Sequence, residues 1–200
     1  MPTDPKNLTE LVKRNRSYRK FDHNYTIAYD DLLKMVDLAR LTPSSKNMQP
    51  LKYLVVHDSP DEKYVFSHLK WAWYLKEWSG PSPEERPSAY IIMLLDTLLN
   101  DRADFDAGIA AQTILLAATE VGLGGCIIRT LNRYELAKYF MLEPHLEILL
   151  VIALGKPTQL VIIDEMDASG STAYFTDDEN RHHVPKRNLK EIIWKQKHKS

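Results

Sequence analysis

The chain has 200 residues, of which 44% are hydrophobic and 26% are charged. These fractions are ordinary for a globular protein, and the length corresponds to one domain. The net charge of −1 argues against a nucleic-acid partner or an anionic membrane surface, because both select a clear basic excess. The single cysteine, Cys126, excludes an intramolecular disulfide framework and is typical of a reducing compartment.

The N-terminus and the apolar runs bear on where the protein resides. Residues 1–7 are polar and lack the apolar core of a secretory signal peptide. The apolar run at 148–154 is far shorter than the ~20 residues that span a bilayer. We therefore expect a cytoplasmic protein without a membrane-spanning segment.

Apolar residues at helical spacing and β-branched or aromatic runs predict the elements in chain order. Helices are predicted over residues 8–13, 28–41, 60–78, 102–121, 133–141 and 189–197. Strands are predicted over residues 52–57, 88–95, 125–130 and 147–154, and a turn-rich stretch precedes the last helix. Helices and strands mix with few tight hairpins, which indicates an α/β or α+β fold with helices covering a small sheet.

The long helix over residues 102–121 is predicted to end at the glycine-rich run 122–125, since glycine is favoured just past a helix. Its apolar side is predicted to carry Ile109, Ala110, Thr113, Leu116 and Ala117. The glycine run follows a helix and precedes a strand, which is the reverse of a dinucleotide-binding fingerprint. It either caps the helix or lets the backbone approach a flat ligand.

An arginine-rich stretch over residues 14–19, here called the arginine segment, holds Arg14, Arg16, Arg19 and Ser17. Arginine presents a planar fork of donors that matches phosphate oxygens, and the serine hydroxyl adds a further donor. The alternative is a solvated basic face. Late in the chain, Lys186 and Arg187 form a second cationic pair that could join the first on one phosphate.

The polar loop, residues 43–50, lies between a predicted helix and a predicted strand. Its serines, amides and two bracketing prolines suit recognition of a polar ring edge, although an ordinary turn is the alternative.

Late in the chain, His182 and His183 are consecutive residues on an extended stretch. Their side chains would point opposite ways, so a shared metal ion is not expected.

Motifs over nearly the whole chain resemble the nitroreductase family of FMN enzymes. They are R-x-R-S-x-R-x-F at 14–21, P-S-S-x-N-x-Q-P at 43–50, D-x-G-I-A-A-Q at 106–112, G-L-G-G-C at 122–126, A-L-G-K-P at 153–157 and P-K-R-x-L at 185–189. Each motif alone is weak evidence for the family. The resemblance is strong because all six motifs occur in this order with spacing like that of the family.

The resemblance implies an α+β fold: a three-layer α/β/α sandwich with a mostly antiparallel central sheet. It implies one FMN-binding domain over residues 1–200 that forms an intertwined homodimer, with FMN bound between the chains. The tail from about residue 158 to residue 200 is expected to extend onto the partner subunit.

The resemblance also implies roles for individual residues. The phosphate of FMN would be held by Arg16, Ser17, Arg19, Lys186 and Arg187. The flavin of the partner subunit would be reached by Ser44, Ser45, Asn47 and Gln49. The backbone around Gly125, Ile128 and Arg129 would line the other side of the ring. Asn15 departs from the family, in which many members carry a basic residue, and this could weaken contacts to the pyrimidine carbonyls or shift the redox tuning.

The chemistry implied by the resemblance is ping-pong hydride transfer. NADH or NADPH would reduce FMN and leave the site. A nitroaromatic, quinone or similar electron-poor acceptor would then take the place of the nicotinamide cofactor. No catalytic side chain and no metal is expected, because the flavin supplies the reactive atom. The alternatives are a relative that performs dehalogenation or flavin breakdown, a flavin-binding sensor or carrier without turnover, and a small basic interaction module.

Two further features have more than one interpretation. The stretch 71–78 contains three tryptophans and either covers the active site or packs in the core or dimer interface, as large aromatic residues usually do. Cys126, beside the glycine run, is expected to be a small buried residue rather than a nucleophile.

Overall fold

The computed structural model describes residues 7–57, 60–72, 74–75, 77–167 and 170–194. The chain divides into two compact units. The larger unit comprises Met1–Trp71 and Ser79–Thr158, and the smaller comprises Ala72–Trp78 and Gln159–Ser200. Of the helices described, none combines the length and the apolar character that crossing a bilayer requires.

Helices and strands alternate along most of the chain. The helices are α1 (Leu8–Arg14), α2 (Tyr29–Arg40), α3 (Asp61–Ser67), α4 (Asp104–Glu120), α5 (Arg133–Tyr139) and α6 (Leu189–Ile192). The strands are β1 (Phe21–Asp22), β2 (Leu51–Val56), β3 (Ala89–Asp96), β4 (Gly124–Ile128), β5 (Leu146–Pro157), β6 (Val161–Glu165), β7 (Phe175–Thr176) and β8 (His182–Lys186). The predicted α+β class is confirmed.

The larger unit is built on a five-stranded sheet in the order β1-β5-β3-β2, with β4 also paired to β5. Every pairing in this sheet is antiparallel. Strand β3 is buried along its whole length, so its side chains alternate between two apolar environments. One face of the sheet carries Ala89, Ile91 and Met93, and the other carries Tyr90, Ile92 and Leu94.

Helices cover both faces of this sheet. On one face, Leu32 and Met35 of α2 pack in a core cluster with Ile114 of α4. On the other face, Val65 of α3 and Leu136 of α5 belong to a second cluster. This arrangement confirms the expected three-layer sandwich.

Strand β5 is longer than the sequence predicts. It continues past Gly155 to Pro157 because Gly155 pairs with Gly124 of β4 and Pro157 pairs with Phe21 of β1. A glycine that would end an isolated strand is therefore kept in the sheet by partners on two sides.

The helix predicted over residues 60–78 is wrong beyond Ser67, where α3 ends. After this point Leu69 forms an antiparallel bridge with Leu131, and the N–H of Lys70 donates to the carbonyl of Thr130 at 2.9 Å. Ala72 has a φ of 40°, which no α-helix contains. Pairing with a distant part of the chain thus replaces the second half of the predicted helix. Within this stretch, Trp73 lies outside the described residues.

The apolar side predicted for α4 is wrong in part. Ala110 is buried, but Ile109 is 44% exposed, and Thr113 and Leu116 are only half-buried. The helix carries small or apolar residues on every side, so its sequence pattern does not define one buried face. Its end is predicted correctly, because Gly122 adopts a φ of 79° just past Glu120.

The smaller unit contains a three-stranded sheet in the order β6-β8-β7. Strand β8 pairs parallel with β6 and antiparallel with β7. The sequence predicts only a turn-rich stretch here, since β7 has two residues and shows no pattern of its own. The last predicted helix is shorter than expected: α6 ends at Ile192, and residues 195–197 lie outside the described part.

His183 holds two carboxylates of the smaller unit together. Its Nδ1 lies 2.7 Å from Oδ2 of Asp164, and its Nε2 lies 3.0 Å from Oδ2 of Asp177. The ring of Phe175 stacks on the imidazole at a centroid distance of 4.8 Å. The hydrogen bonds with Asp177 and Asp164 raise the pKa of His183 above its ordinary value, although desolvation opposes them.

The His183 contacts predict a pH dependence for the smaller sheet. The protonated ring donates to both carboxylates, so this stabilisation is fully present below the ordinary histidine pKa and is lost as pH rises through the raised pKa. An NMR titration should give His183 a pKa above the usual range, and Asp164→Asn should lower it. Glu179→Gln, which removes a partner of Arg181 instead, should leave the titration unchanged. A His183 pKa at or below the ordinary value would contradict this assignment.

Candidate functional site

The arginine segment lies alongside β4. Ser17 forms a parallel bridge with Gly125, and the N–H of Tyr18 donates to the carbonyl of Gly125 at 3.0 Å. Near the start of the segment, Asn15 is buried at the C-terminal cap of α1. The structure therefore brings Arg16, Ser17 and Arg19 next to Gly125, a residue predicted to line the flavin ring.

Arg16 contains a buried donor that has no hydrogen-bond partner among the described residues. One terminal nitrogen donates to the carbonyl of Val12 at 2.6 Å, but Nε is buried and makes no hydrogen bond with the described residues. Burial also lowers the pKa of the Arg16 guanidinium. Buried donors in proteins almost always have partners, so an unpaired one calls for an acceptor from elsewhere. The donor set fits an anionic group such as phosphate.

Ser17 and Arg19 both influence the thiol of Cys126. Burial raises the pKa of Cys126, against the opposing effects of the Arg19 charge and a hydrogen bond with the Ser17 side chain. Arg19 also donates to the carbonyl of Ser17 at 3.1 Å. Cys126 is 5% exposed, which confirms the prediction of a small buried residue.

The glycines of β4 allow close contact within the chain itself. A Cβ on Gly124 would lie 2.5 Å from the ring of Tyr18, and one on Gly125 would lie 2.4 Å from the carbonyl oxygen of Ala153. The helix-cap interpretation of the glycine run is confirmed at Gly122, and Gly124 and Gly125 admit Tyr18 and β5. The approach of this run to a flat ligand stays a prediction.

The two predicted ring-lining positions at and after the end of β4 differ in exposure. Ile128 is 5% exposed and packs in the core, so its predicted contact with the flavin stays a prediction. Arg129 is exposed, and its guanidinium lies 3.9 Å from the carboxylate of Asp104. An exposed pair of this kind holds Arg129 weakly and leaves it free to reorient.

The polar loop has a strained but well-held backbone. Lys46, Asn47 and Gln49 have φ values of 51°, 55° and 50°, each costing about 1–3 kcal/mol in a residue other than glycine. The hydroxyl of Ser44 accepts the N–H of Gln49 at 3.1 Å, and the Gln49 amide donates to the side-chain oxygen of Asn47 at 3.2 Å. Hydrogen bonds within the chain thus hold the loop in this shape.

A contact from α4 anchors the polar loop. Oδ1 of Asp106 accepts the N–H of Ser45 at 3.1 Å. Beside this contact lies a cavity of about 120 Å³. It is lined by Ala39, Arg40, Thr42, Pro43, Ser44, Gln49, Pro50, Leu51, Tyr53 and Asp106. Asp106 belongs to the motif D-x-G-I-A-A-Q, but the sequence pattern predicts no role for it. The signal that could have revealed a role is a carboxylate among small apolar residues.

The second cationic pair belongs to the smaller unit. Lys186 is exposed at the end of β8, and its carbonyl accepts the N–H of Met166. Arg187 follows it, with a terminal nitrogen 3.5 Å from the carboxylate of Glu191. Their predicted role at the phosphate stays a prediction, as does the extension of the tail onto a partner subunit.

The family model named Nitroreductase family matches residues 12–86 and 86–156, well over half of the chain. The chain belongs to the nitroreductase family. The matched part of this family member contains the arginine segment, the polar loop and β4, and it ends before residues 159–200, which form most of the smaller unit.

Individual relatives are distant in sequence. The chain is 31% identical over 65 residues to the oxygen-insensitive NADPH nitroreductase of Helicobacter pylori, a match covering 32% of this chain and 31% of that relative. The match thus spans less than a third of that relative's length.

Solved structures share the fold over more of the chain. A nitroreductase family protein from Streptococcus pneumoniae matches with a TM-score of 0.66 at 17% identity, covering 95% of this chain and 100% of the other. A protein from Exiguobacterium sibiricum, solved in complex with FMN, matches with a TM-score of 0.67 at 19% identity over 80% of this chain and 92% of the other.

Proposed function

We propose that this chain is an FMN-dependent oxidoreductase that uses NADH or NADPH to reduce a nitroaromatic, quinone or similar electron-poor acceptor. The observation that carries the proposal is the buried, unpaired Nε of Arg16 in a segment rich in phosphate-binding groups. The FMN complex of the Exiguobacterium sibiricum protein and the name of the Helicobacter pylori relative support it.

The arginine segment would bind the phosphate of FMN. Arg16 and Arg19 offer guanidinium forks, and Ser17 offers an exposed hydroxyl beside them. Charged hydrogen bonds to phosphate are shorter and stronger than neutral ones. Lys186 and Arg187 would add positive charge from the smaller unit.

The flavin ring would lie against the backbone of Gly125, Ile128 and Arg129. Bound FMN would supply the hydride-transfer chemistry between the nicotinamide and the acceptor, so no side chain of this chain would need to act as nucleophile or base. The residues of the chain bind and orient the ring and keep one face open. The guanidinium of Arg129 would stabilise negative charge that develops on the ring.

The other side of the ring would be covered by the polar loop of a second copy of the chain, through Ser44, Ser45, Asn47 and Gln49. Exposed apolar side chains support a homodimer. On α4, Phe105 is 88% exposed and Ile109 is 44% exposed. On α1, Leu8 and Val12 are also exposed. A second copy would cover these side chains and complete the site.

Arg16→Ala tests the phosphate assignment. We expect FMN affinity to fall about 10–100-fold, since a charged hydrogen-bond set is lost. Titration of the apoprotein with FMN, followed by quenching of flavin fluorescence, measures the change. Arg102→Ala, which removes an exposed arginine outside the site, should leave the affinity unchanged. Equal affinity of wild type and Arg16→Ala would refute the assignment, and a wild-type protein that takes up no FMN would refute the proposed function.

Ile109→Arg tests the dimer. A charged side chain on the exposed face of α4 should produce a monomer by light scattering and should weaken FMN binding, because each site then lacks the second polar loop. Tyr134→Arg on α5, where the tyrosine is 73% exposed, should leave the dimer intact. A monomeric wild-type protein that binds FMN tightly would overturn the shared site.

A further inference from the structure

Asp106 is a buried carboxylate on α4 that the proposed binding residues do not include. It is 4% exposed and neighbours the buried alanines Ala107 and Ala110. Its Oδ1 accepts the N–H of Ser45, and its Oδ2 is buried without a hydrogen-bond partner among the described residues. Burying a carboxylate that is only partly paired is unfavourable, so this position requires an explanation beyond packing.

Stabilisation of α4 does not explain the burial. A negative charge in the first turn of a helix is favourable, and Asp104 supplies one there while its side chain stays 79% exposed. Asp106 lies in the same turn but is directed into the protein, where its contact is with the polar loop rather than with the end of its own helix.

The contact joins two parts of the chain that are 61 positions apart. The side-chain bonds of Ser44, Asn47 and Gln49 run within the polar loop and shape it. At the end of the loop, the carbonyl of Pro50 accepts the N–H of Asp96 at 2.8 Å and joins the loop to the sheet. The bond from Ser45 to Asp106 ties the middle of the loop to α4, next to residues with a left-handed backbone that an unanchored loop would not favour.

We propose that Asp106 is a positioning residue that holds the polar loop in its flavin-binding conformation before FMN arrives. The inference rests on the proposed function, in which this loop contacts FMN. A loop that is already ordered binds more tightly, because the apparent affinity falls with the fraction of molecules that are competent to bind.

Two substitutions distinguish the effect of Asp106 as a hydrogen-bond acceptor from the effect of its charge. Asp106→Asn keeps an oxygen that can accept the Ser45 N–H and removes the charge. Asp106→Leu removes both, while filling a similar volume with an apolar side chain. Replacing a poorly paired buried charge by a packed apolar group is often neutral or stabilising. We therefore expect Asp106→Leu to melt at the same temperature as wild type or above it.

In Asp106→Leu, FMN affinity should fall although the melting temperature stays the same or rises. Asp106→Leu should bind FMN about 10-fold more weakly or worse, whereas Asp106→Asn should recover most of the wild-type affinity. In the apoprotein, amide hydrogen exchange of Ser45 should accelerate in Asp106→Leu and stay slow in Asp106→Asn. Thr119→Val, which removes a buried hydroxyl that donates to the carbonyl of Leu115 within α4, should leave both measurements unchanged.

Wild-type FMN affinity and Ser45 protection in Asp106→Leu would overturn the inference while leaving the proposed function intact. Equal loss of affinity in Asp106→Asn and Asp106→Leu would overturn it too, because the charge and not the acceptor would then matter. If the wild-type protein binds no FMN, the proposed function fails, and Ser45 exchange in the apoprotein still decides whether Asp106 fixes the loop.

Discussion

The candidate site depends on the close approach of the arginine segment to β4, which Gly124 makes possible. A side chain on Gly124 would meet the ring of Tyr18, whereas one on Gly125 would meet the backbone of Ala153 in β5. With a side chain at position 124, Tyr18 would have to move, although its N–H donates to the carbonyl of Gly125 and Ser17 bridges the same residue. The cationic groups and the backbone that would line a flavin ring are thus placed by one contact.

Much of the sheet could be predicted from sequence because its signal is local. Strand β3 is a continuous apolar run that is buried on both sides, and the turn at Gly122 follows directly from a glycine after a long helix. The arginine segment and the polar loop were also found from sequence, since their residue types are concentrated in short stretches. Their relation to a ligand came from a family resemblance, which composition and periodicity do not supply.

Features that depend on distant partners could not be read from sequence. After Ser67 the chain is no longer helical, because Leu69 forms a bridge with Leu131. No residue pattern near Ser67 in the sequence predicts this change. The three-stranded sheet of the smaller unit is similarly set by pairing between short strands. Asp106 is the clearest case in the site, because its importance lies in one bond to Ser45 across 61 positions.

The central claim is that this chain carries FMN and passes electrons from a nicotinamide cofactor to an acceptor. The most direct test adds NADPH or NADH to the FMN-loaded protein under anaerobic conditions and follows the visible absorbance of the flavin. At least one of the two nucleotides is expected to bleach the flavin, and a nitroaromatic or quinone is then expected to restore its colour. A flavin that stays oxidised with both nucleotides would contradict the account and leave a protein that binds FMN without turnover.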